Sequence, residues 1–309
     1  MKDVIVVPKL YDISPGRIWY AYLFDELCNK FGFELRYTDY ANIANDTRLV
    51  VAFAVPHIQW ENFMVDELSK LDPSIYLIGW MADIHCGDLG KKVNHRCKRD
   101  MITMFNRYDL IISAHDTRMK SLYSDYSDKY VYVPWCFAPH ESYMKFKLNK
   151  DPKMQCLMVG ATSSLVYPLR NKIHKYATKH DFIKSTKGGI SKKEYPGVLH
   201  QYFCGIVDTG HNEVIQPKYF EIPAVGSLLL GRRTNLVDDL GLIPYKHYVP
   251  FTDEDVFDKA KDIISNSSNY EDIRIAGMEY VRKNHSINNR MEIVFDLIEK
   301  VKEKLKCQD

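Results

Sequence analysis

The sequence predicts an α/β fold of two doubly wound halves, each a parallel sheet covered by helices on both faces. Three observations predict it. Short apolar runs alternate along the chain with stretches of helical apolar spacing. The runs are continuously apolar rather than apolar at every second residue, as in strands buried on both faces. The alternation lapses once, over residues 137–152, where two prolines and many charges interrupt it. We read a linker there. The expected division is a first domain over residues 1–145, a second over 146–286, and a terminal helix over 287–309.

In the first half, residues 4–8 read as a strand. Residues 18–31 read as a helix, because Trp19, Leu23, Leu27 and Phe31 recur at steps of four. Strands follow over residues 33–37 and 49–55. A helix over 60–71 carries Phe63, Leu68 and Leu71, and further strands cover 75–80, 110–113 and 130–134. In the second half, strands are expected over 154–159, 182–185, 204–207 and 227–231. Helices are expected over 169–178, 195–202, 217–224, 256–265 and 270–283, with a long terminal one over 290–306. That last helix carries Met291, Val294, Leu297, Ile298, Val301 and Leu305 at helical spacing. Ligands of open α/β sheets sit at the carboxyl ends of the strands. The chemistry is therefore expected in post-strand loops facing a crevice between the halves.

Composition narrows the function classes. The chain has 309 residues, 46% hydrophobic and 27% charged, which excludes a disordered or collagen-like protein. Lys and Arg number 42 against 40 Asp and Glu, so no global basic field for nucleic acid is present. No apolar run reaches the roughly 20 residues that span a bilayer. The first residues lead straight into a strand-like run, without the apolar region of a signal peptide. The seven cysteines are odd in number, widely spaced and without a CxxC pair. A soluble, cytoplasmic protein with free thiols is expected.

The most informative segment runs from Asp208 through a polar loop, a short helix and Gly226 into the next strand. Pro217 suits the first turn of that helix. Glu213 lies in the loop and Glu221 eight residues later, about two helical turns on, so we expect nearly the same face. Two such carboxylates can accept hydrogen bonds from hydroxyls, and helix N-terminal amides beside them can hold an anion. The bland reading is a helix cap and a solvated glutamate. A second segment, Val159-Gly160-Ala161-Thr162-Ser163-Ser164, ends a strand and leads to Arg170. Gly160 lets backbone approach a ligand. Thr162, Ser163 and Ser164 can donate to phosphate oxygens, and Arg170 offers a planar fork for a diphosphate. Lys172 is a weaker candidate. The loop around Lys187, Gly188 and Gly189 suits a nucleotide base, or is only a turn.

In the first half, Asp83 and His85 follow the strand over 75–80. They can bind an acceptor or take its proton. His85, Cys86, His95 and Cys97 have a spacing that fits no common structural zinc site. Lys91, Lys92, His95, Arg96, Lys98 and Arg99 form a local basic run. It is either a solvated helix face or a surface for an acidic acceptor, a membrane or nucleic acid.

Glu213 and Glu221 form Glu-x7-Glu, followed by Ile222-Pro223-Ala224-Val225-Gly226. Together with Tyr248-Val249-Pro250-Phe251, and with Gly277, His285 and Arg290, this resembles the retaining group 1 glycosyltransferases of GT-B fold. It is closest to the CgeB-like, spore-maturation kind. The resemblance covers about residues 154–297, and the first half only in architecture. The family often carries Gly after the first Glu and Arg before Phe-Glu, where this chain has Val214, Ile215 and Lys218.

The resemblance implies two Rossmann-like domains with a C-terminal helix crossing back. It implies transfer of a hexosyl or pentosyl group from a nucleotide-sugar donor to an acceptor hydroxyl, with retention of configuration. Glu213 then takes the transferred sugar and Glu221 the ribose. Arg170 and Lys218 take the leaving diphosphate and stand in for a metal ion. Gly160, Thr162, Ser163, Lys187 and His211 complete the donor site, with Asp83 and His85 on the acceptor side. No cofactor or metal is expected. The acceptor class stays open among a glycan, a small molecule, modified DNA and a membrane-linked hydroxyl. An epimerase of this fold and a non-catalytic nucleotide-sugar or glycan binder are the alternatives.

Overall fold

The computed structural model describes residues 3–7, 18–37, 43, 47–54, 68, 70–81, 84, 95–138, 140–162, 167–191, 193–210 and 213–307. The chain divides into two units. Unit 1 comprises Met1–Pro134 with Met291–Asp309, and unit 2 is the continuous segment Trp135–Arg290.

The strands of unit 1 are β1 (Val4–Val7), β2 (Glu34–Tyr37), β3 (Leu49–Ala54), β4 (Tyr76–Met81), β5 (Leu110–Ser113) and β6 (Tyr130–Tyr132). They form a parallel sheet of order β2-β1-β3-β4-β5-β6 among the described residues. The helix α1 (Ile18–Phe31) buries Leu23 and Leu27 completely, as the four-residue spacing predicts. Phe24 packs edge-on against Phe53 and Trp80. Two further helices, α2 (His95–Arg107) and α3 (Asp116–Leu122), follow β4 and β5. Most of the helix expected over 60–71 lies outside the described residues, though Leu68 and Leu71 are buried in the core of this unit.

In unit 2 the strands are β7 (Lys153–Val159), β8 (Ile183–Thr186), β9 (Tyr202–Val207), β10 (Leu228–Arg232) and β11 (Val249–Phe251). They too are all parallel, in the order β11-β10-β9-β7-β8. The helices are α4 (His140–Met144), α5 (Pro168–Ala177), α6 (Tyr195–His200), α7 (Lys218–Ala224), α8 (Asn235–Asp239), α9 (Val256–Ser265) and α10 (Glu271–Asn284). Alternate residues of the strands enter two separate cores. Leu157, Val207 and Leu229 join Phe220, Val225 and Val281 on one face. Cys156, Met158, Cys204 and Leu228 join Leu169, Ala260 and Ile263 on the other. Both faces are thus covered, as the continuous apolar runs require.

Three of the expected stretches differ in the structure. The stretch read as a linker over 137–152 is packed into unit 2. Phe137 is fully buried, and α4 carries Tyr143, which is 2% exposed. Its prolines and charges mask these two aromatic anchors. The helix expected over 195–202 stops at His200, and Tyr202 already belongs to β9, where it starts the pairing with β7. The terminal helix α11 (Ile287–Lys306) starts three residues before Arg290. The Asn289 amide N–H donates to Ser286 Oγ at 3.4 Å, and Ser286 N–H donates to Asn289 Oδ1 at 2.9 Å. This reciprocal cap sets the start.

Most of α11 belongs to unit 1, where Val294, Ile298 and Val301 are buried. Phe295 meets Phe31 edge-on at 5.5 Å, Glu299 pairs with Lys30 at 3.2 Å, and Lys302 pairs with Asp3. Among the described residues, no helix is long and apolar enough to cross a membrane. Cys28, Cys136, Cys156, Cys204 and Cys307 are not joined in disulfide bonds.

Candidate active site

In unit 2 the chain leaves β7 for β8 on one side and later returns to β9 on the other. Strand order therefore reverses between β7 and β9, and the loops leaving their carboxyl ends part there to open a crevice. Gly160 follows β7 and Asp208 follows β9. Gly160 has φ 135°, and its N–H donates to Thr186 O at 3.0 Å, tying it to the end of β8. A Cβ placed on it would lie 3.1 Å from Lys218 Nζ and 3.3 Å from Arg170 Nη1. Two cationic side chains thus meet against bare backbone, where only glycine leaves room.

Arg170 is brought there by α5, which Pro168 opens at its first turn. Its guanidinium stacks on the Tyr167 ring, 4.0 Å from the centroid. Nε donates to Asp208 Oδ1 at 2.5 Å, with both side chains almost wholly buried. Nη2 is buried and, among the described residues, lacks a hydrogen-bond partner. An unmet buried donor of this kind costs about 1–3 kcal/mol, more when charged. An anionic ligand would satisfy it.

Lys218 opens α7 and Glu221 stands one turn further on. Each keeps part of its surface accessible, while its charged end is enclosed by protein. Burial, reinforced by the like charge of Arg170, lowers Lys218 to about 8, against the pull of Glu221 and Asp208. Burial raises Glu221 to about 7, against Lys218, Tyr143 and Tyr195, which favour its ionised form. Tyr143 donates to Glu221 Oε1 at 3.2 Å. The Tyr195 hydroxyl is near enough to influence the carboxylate but makes no well-formed hydrogen bond. The result is a compact set of two cations and two carboxylates whose charge is poised near neutrality.

Glu213 does not share a helical face with Glu221. It sits in the turn after β9 with φ 51°, exposed, and α7 begins only at Lys218. The eight-residue spacing crosses a loop, so helical periodicity does not apply to it. Thr162 is half-buried beyond Gly160, and Lys187 is exposed after β8 beside Gly188 and Gly189, with φ of 132° and 81°. Ser163, Ser164 and His211 lie outside the described residues, as do Asp83, His85, Cys86, Lys91 and Lys92 and the side chains of His95, Arg96 and Cys97. Among the described residues, no group of three or more His, Cys, Asp or Glu is placed to hold a metal ion.

Sequence reasoning missed Asp208, Tyr143 and Tyr195 as members of this cluster. For Asp208 a signal existed: a carboxylate directly after a fully apolar strand needs a cation. The two tyrosines carry no such signal, because α4 and α6 reach Glu221 only through the tertiary fold.

Solved structures share this architecture across nearly the whole chain. An alpha-glucosyltransferase in complex with UDP and a 13-mer DNA containing a HMU base is 12% identical, with TM-score 0.65, covering 97% of this chain and 99% of that one. The sucrose-phosphate synthase of Thermosynechococcus elongatus is 10% identical, with TM-score 0.69, covering 98% and 100%. An alpha1,3-fucosyltransferase is 13% identical, with TM-score 0.57, covering 96% and 90%. At these identities the likeness shows the fold, which is the GT-B one. No curated protein matches the sequence. Residues 150–296, which carry every member of the cluster except Tyr143, match the model of the glycosyl transferase-like family.

Proposed function

We propose that the protein transfers a sugar from a nucleoside-diphosphate sugar to an acceptor hydroxyl. The observation that carries this reading is the meeting of Arg170 and Lys218 at the bare backbone of Gly160, at the strand-order reversal of a segment that matches a glycosyl transferase-like family. A diphosphate fits two cations, and the orphaned Nη2 of Arg170 gains an acceptor from it.

In this reading the anomeric C–O bond to the diphosphate breaks while the acceptor oxygen bonds to the same carbon. The acceptor proton passes to the departing phosphate. Arg170 and Lys218 stabilise the charge growing on the leaving group. Glu221 accepts from the ribose hydroxyls and Glu213 from the transferred sugar. Retention of configuration accords with the resemblance to retaining enzymes. The two cations supply the charge that a divalent ion provides elsewhere, so activity is expected to survive a chelator. Gly160, Thr162, Ser163, Lys187 and His211 complete the donor side, and Asp83 with His85 serves the acceptor.

UDP is the first nucleotide to try, and DNA containing a HMU base is one acceptor to try, since a structural neighbour binds both. The test is a screen of nucleoside diphosphates by thermal stabilisation, then of their sugars with candidate acceptors. Binding of the folded state by a nucleoside diphosphate raises the unfolding temperature. Sugar transfer that appears only when an acceptor is supplied supports the proposal and excludes an epimerase. No stabilisation by any nucleoside diphosphate sinks it.

A further inference from the structure

The segment from Phe137 to Asn149 is held onto unit 2 by two arginines of α10. Arg282 Nε donates to Ala224 O at 2.8 Å, and its Nη2 donates to Phe146 O at 2.6 Å and Tyr143 O at 3.3 Å. Arg274 Nε donates to Gly226 O at 2.6 Å, and its Nη2 donates to Asn149 O at 2.8 Å. The two arginines stand eight residues apart, about two turns, on one face of the helix. Both therefore bridge the same two segments: the end of α7 and the strap that carries α4. The backbone that presents Tyr143 is thereby locked to the helix that presents Glu221.

The Tyr143 ring is 2% exposed and its hydroxyl ends on Glu221 Oε1. We propose that Tyr143 is a positioning residue of the nucleotide site, holding one oxygen of the Glu221 carboxylate and leaving the other to accept hydroxyls of the bound nucleotide. The proposal rests on the reading of Glu221 as the ribose-binding carboxylate. Glu221 is faced by Lys218 on its own helix, by Tyr143 from α4 and by Tyr195 from α6. Of these, Tyr143 is the one whose hydroxyl hydrogen-bonds it, at 3.2 Å, among the described residues. A hydroxyl donated to a carboxylate favours its charged form. Tyr143 therefore both aims Glu221 and keeps it ionised at a pH where burial works to neutralise it.

The decisive variant is Tyr143→Phe, which keeps the buried ring and removes only the donor. The probe is the tightest-binding diphosphate among those of uridine, guanosine, adenosine, cytidine and thymidine. Its affinity for wild type and variant is measured by calorimetry from about pH 6 to about pH 9, spanning the ionisation of Glu221. Their ratio cancels titration of the ligand itself. The expected loss is roughly tenfold near neutral pH. It shrinks at the acid end, where the carboxyl is protonated in both proteins. In a Glu221→Gln background, Tyr143→Phe is expected to add nothing.

A ratio of one, or a loss that does not vary with pH, overturns the proposal, since a merely structural tyrosine gives one of those. Should Tyr143→Phe fail to fold, Arg282→Lys is read instead. It retains the hydroxyl but loosens its seat, and the same pH-dependent loss is expected. If Glu221→Gln itself leaves nucleotide affinity unchanged, or no diphosphate binds, the proposal falls together with the reading beneath it. If Glu221→Gln weakens binding and Tyr143→Phe does not, it falls alone.

Discussion

Arg170 and Lys218 face the same point in the site but differ in what else they hold. Arg170 is paired with buried Asp208. Arg170→Ala leaves that carboxylate alone in the interior and is expected to cost about 3–5 kcal/mol of stability, as well as diphosphate affinity. Among the described residues, Lys218 has no hydrogen bond or ion pair of its own. Lys218→Ala is expected to leave the fold intact and to weaken a nucleoside diphosphate by about 1.5–3 kcal/mol, or roughly tenfold to a hundredfold. Thermal unfolding and calorimetric titration of both variants separate the two effects. The Glu pair divides similarly. Glu221→Gln is expected to weaken the bare nucleotide, and Glu213→Gln mainly the turnover of the sugar donor. Equal loss of bare-nucleotide affinity in both contradicts the assignment. The enclosed Lys218 and Glu221 also shape stability. Glu221 is raised from 4.5 to about 7, so its folded form holds the proton more tightly, and stability falls as pH rises through that window. Lys218 is lowered from 10.5 to about 8, so stability recovers as pH rises from about 8. Denaturant midpoints of the ligand-free protein are expected to dip between the two windows. The dip is expected to flatten in a Lys218→Met, Glu221→Gln variant.

At the scale of elements, the site depends on how closely α7 lies on the sheet. Gly205 in β9 makes this possible, because a Cβ there would sit 2.6 Å from Ile222 Cδ1 and 2.9 Å from its Cγ1. Gly205→Ala is expected to push α7 outward, costing about 1–3 kcal/mol by overpacking. Lys218 and Glu221 move with the helix, so nucleotide affinity drops as well. Thermal unfolding and calorimetry on the one variant read both losses. The same helix shows how far a sequence can be read. Val-, Ile- and Leu-rich strands such as Leu49–Ala54 and Leu228–Arg232 announce themselves, since burial on both faces leaves no polar position to blur them. No strand was expected at β11, where Pro250 hides one of only three residues. Among the described residues that strand pairs only with β10, so a residue without an N–H is tolerated there. Gly160 and Arg170, which the structure brings together with Lys218, stood out because glycine and a cation near a strand end suit a phosphate ligand. The position of Tyr143 was not, because it is set by Arg274 and Arg282, more than a hundred residues away along the chain.

For the whole molecule, the notable fact is how the chain is shared out. Unit 2 is one unbroken segment, whereas unit 1 needs both ends of the chain. Deletion from Met291 is expected to strip unit 1 of Val294, Ile298 and Val301, each buried in the complete chain. Burying such side chains contributes roughly 1.5–3 kcal/mol apiece. The truncated protein is expected to bind apolar dyes and to lose protease resistance in residues 1–134, while residues 135–290 stay protected and retain nucleotide binding. Equal protection of both units after deletion contradicts this.

The sharing of unit 1 between the two ends also governs the order of events at the ribosome. Domains ordinarily fold in the order of their synthesis. Here the second unit is whole once Arg290 has emerged, while the first still lacks most of α11. The vectorial order is reversed: the half translated first is the last to close. Nascent chains arrested shortly after Arg290 clears the exit tunnel are expected to show a protease-resistant second unit behind an unprotected first one. Throughout that interval the early-made unit waits without the helix that buries Val294, Ile298 and Val301, and it is this half, rather than the second, that is expected to draw on holdase chaperones.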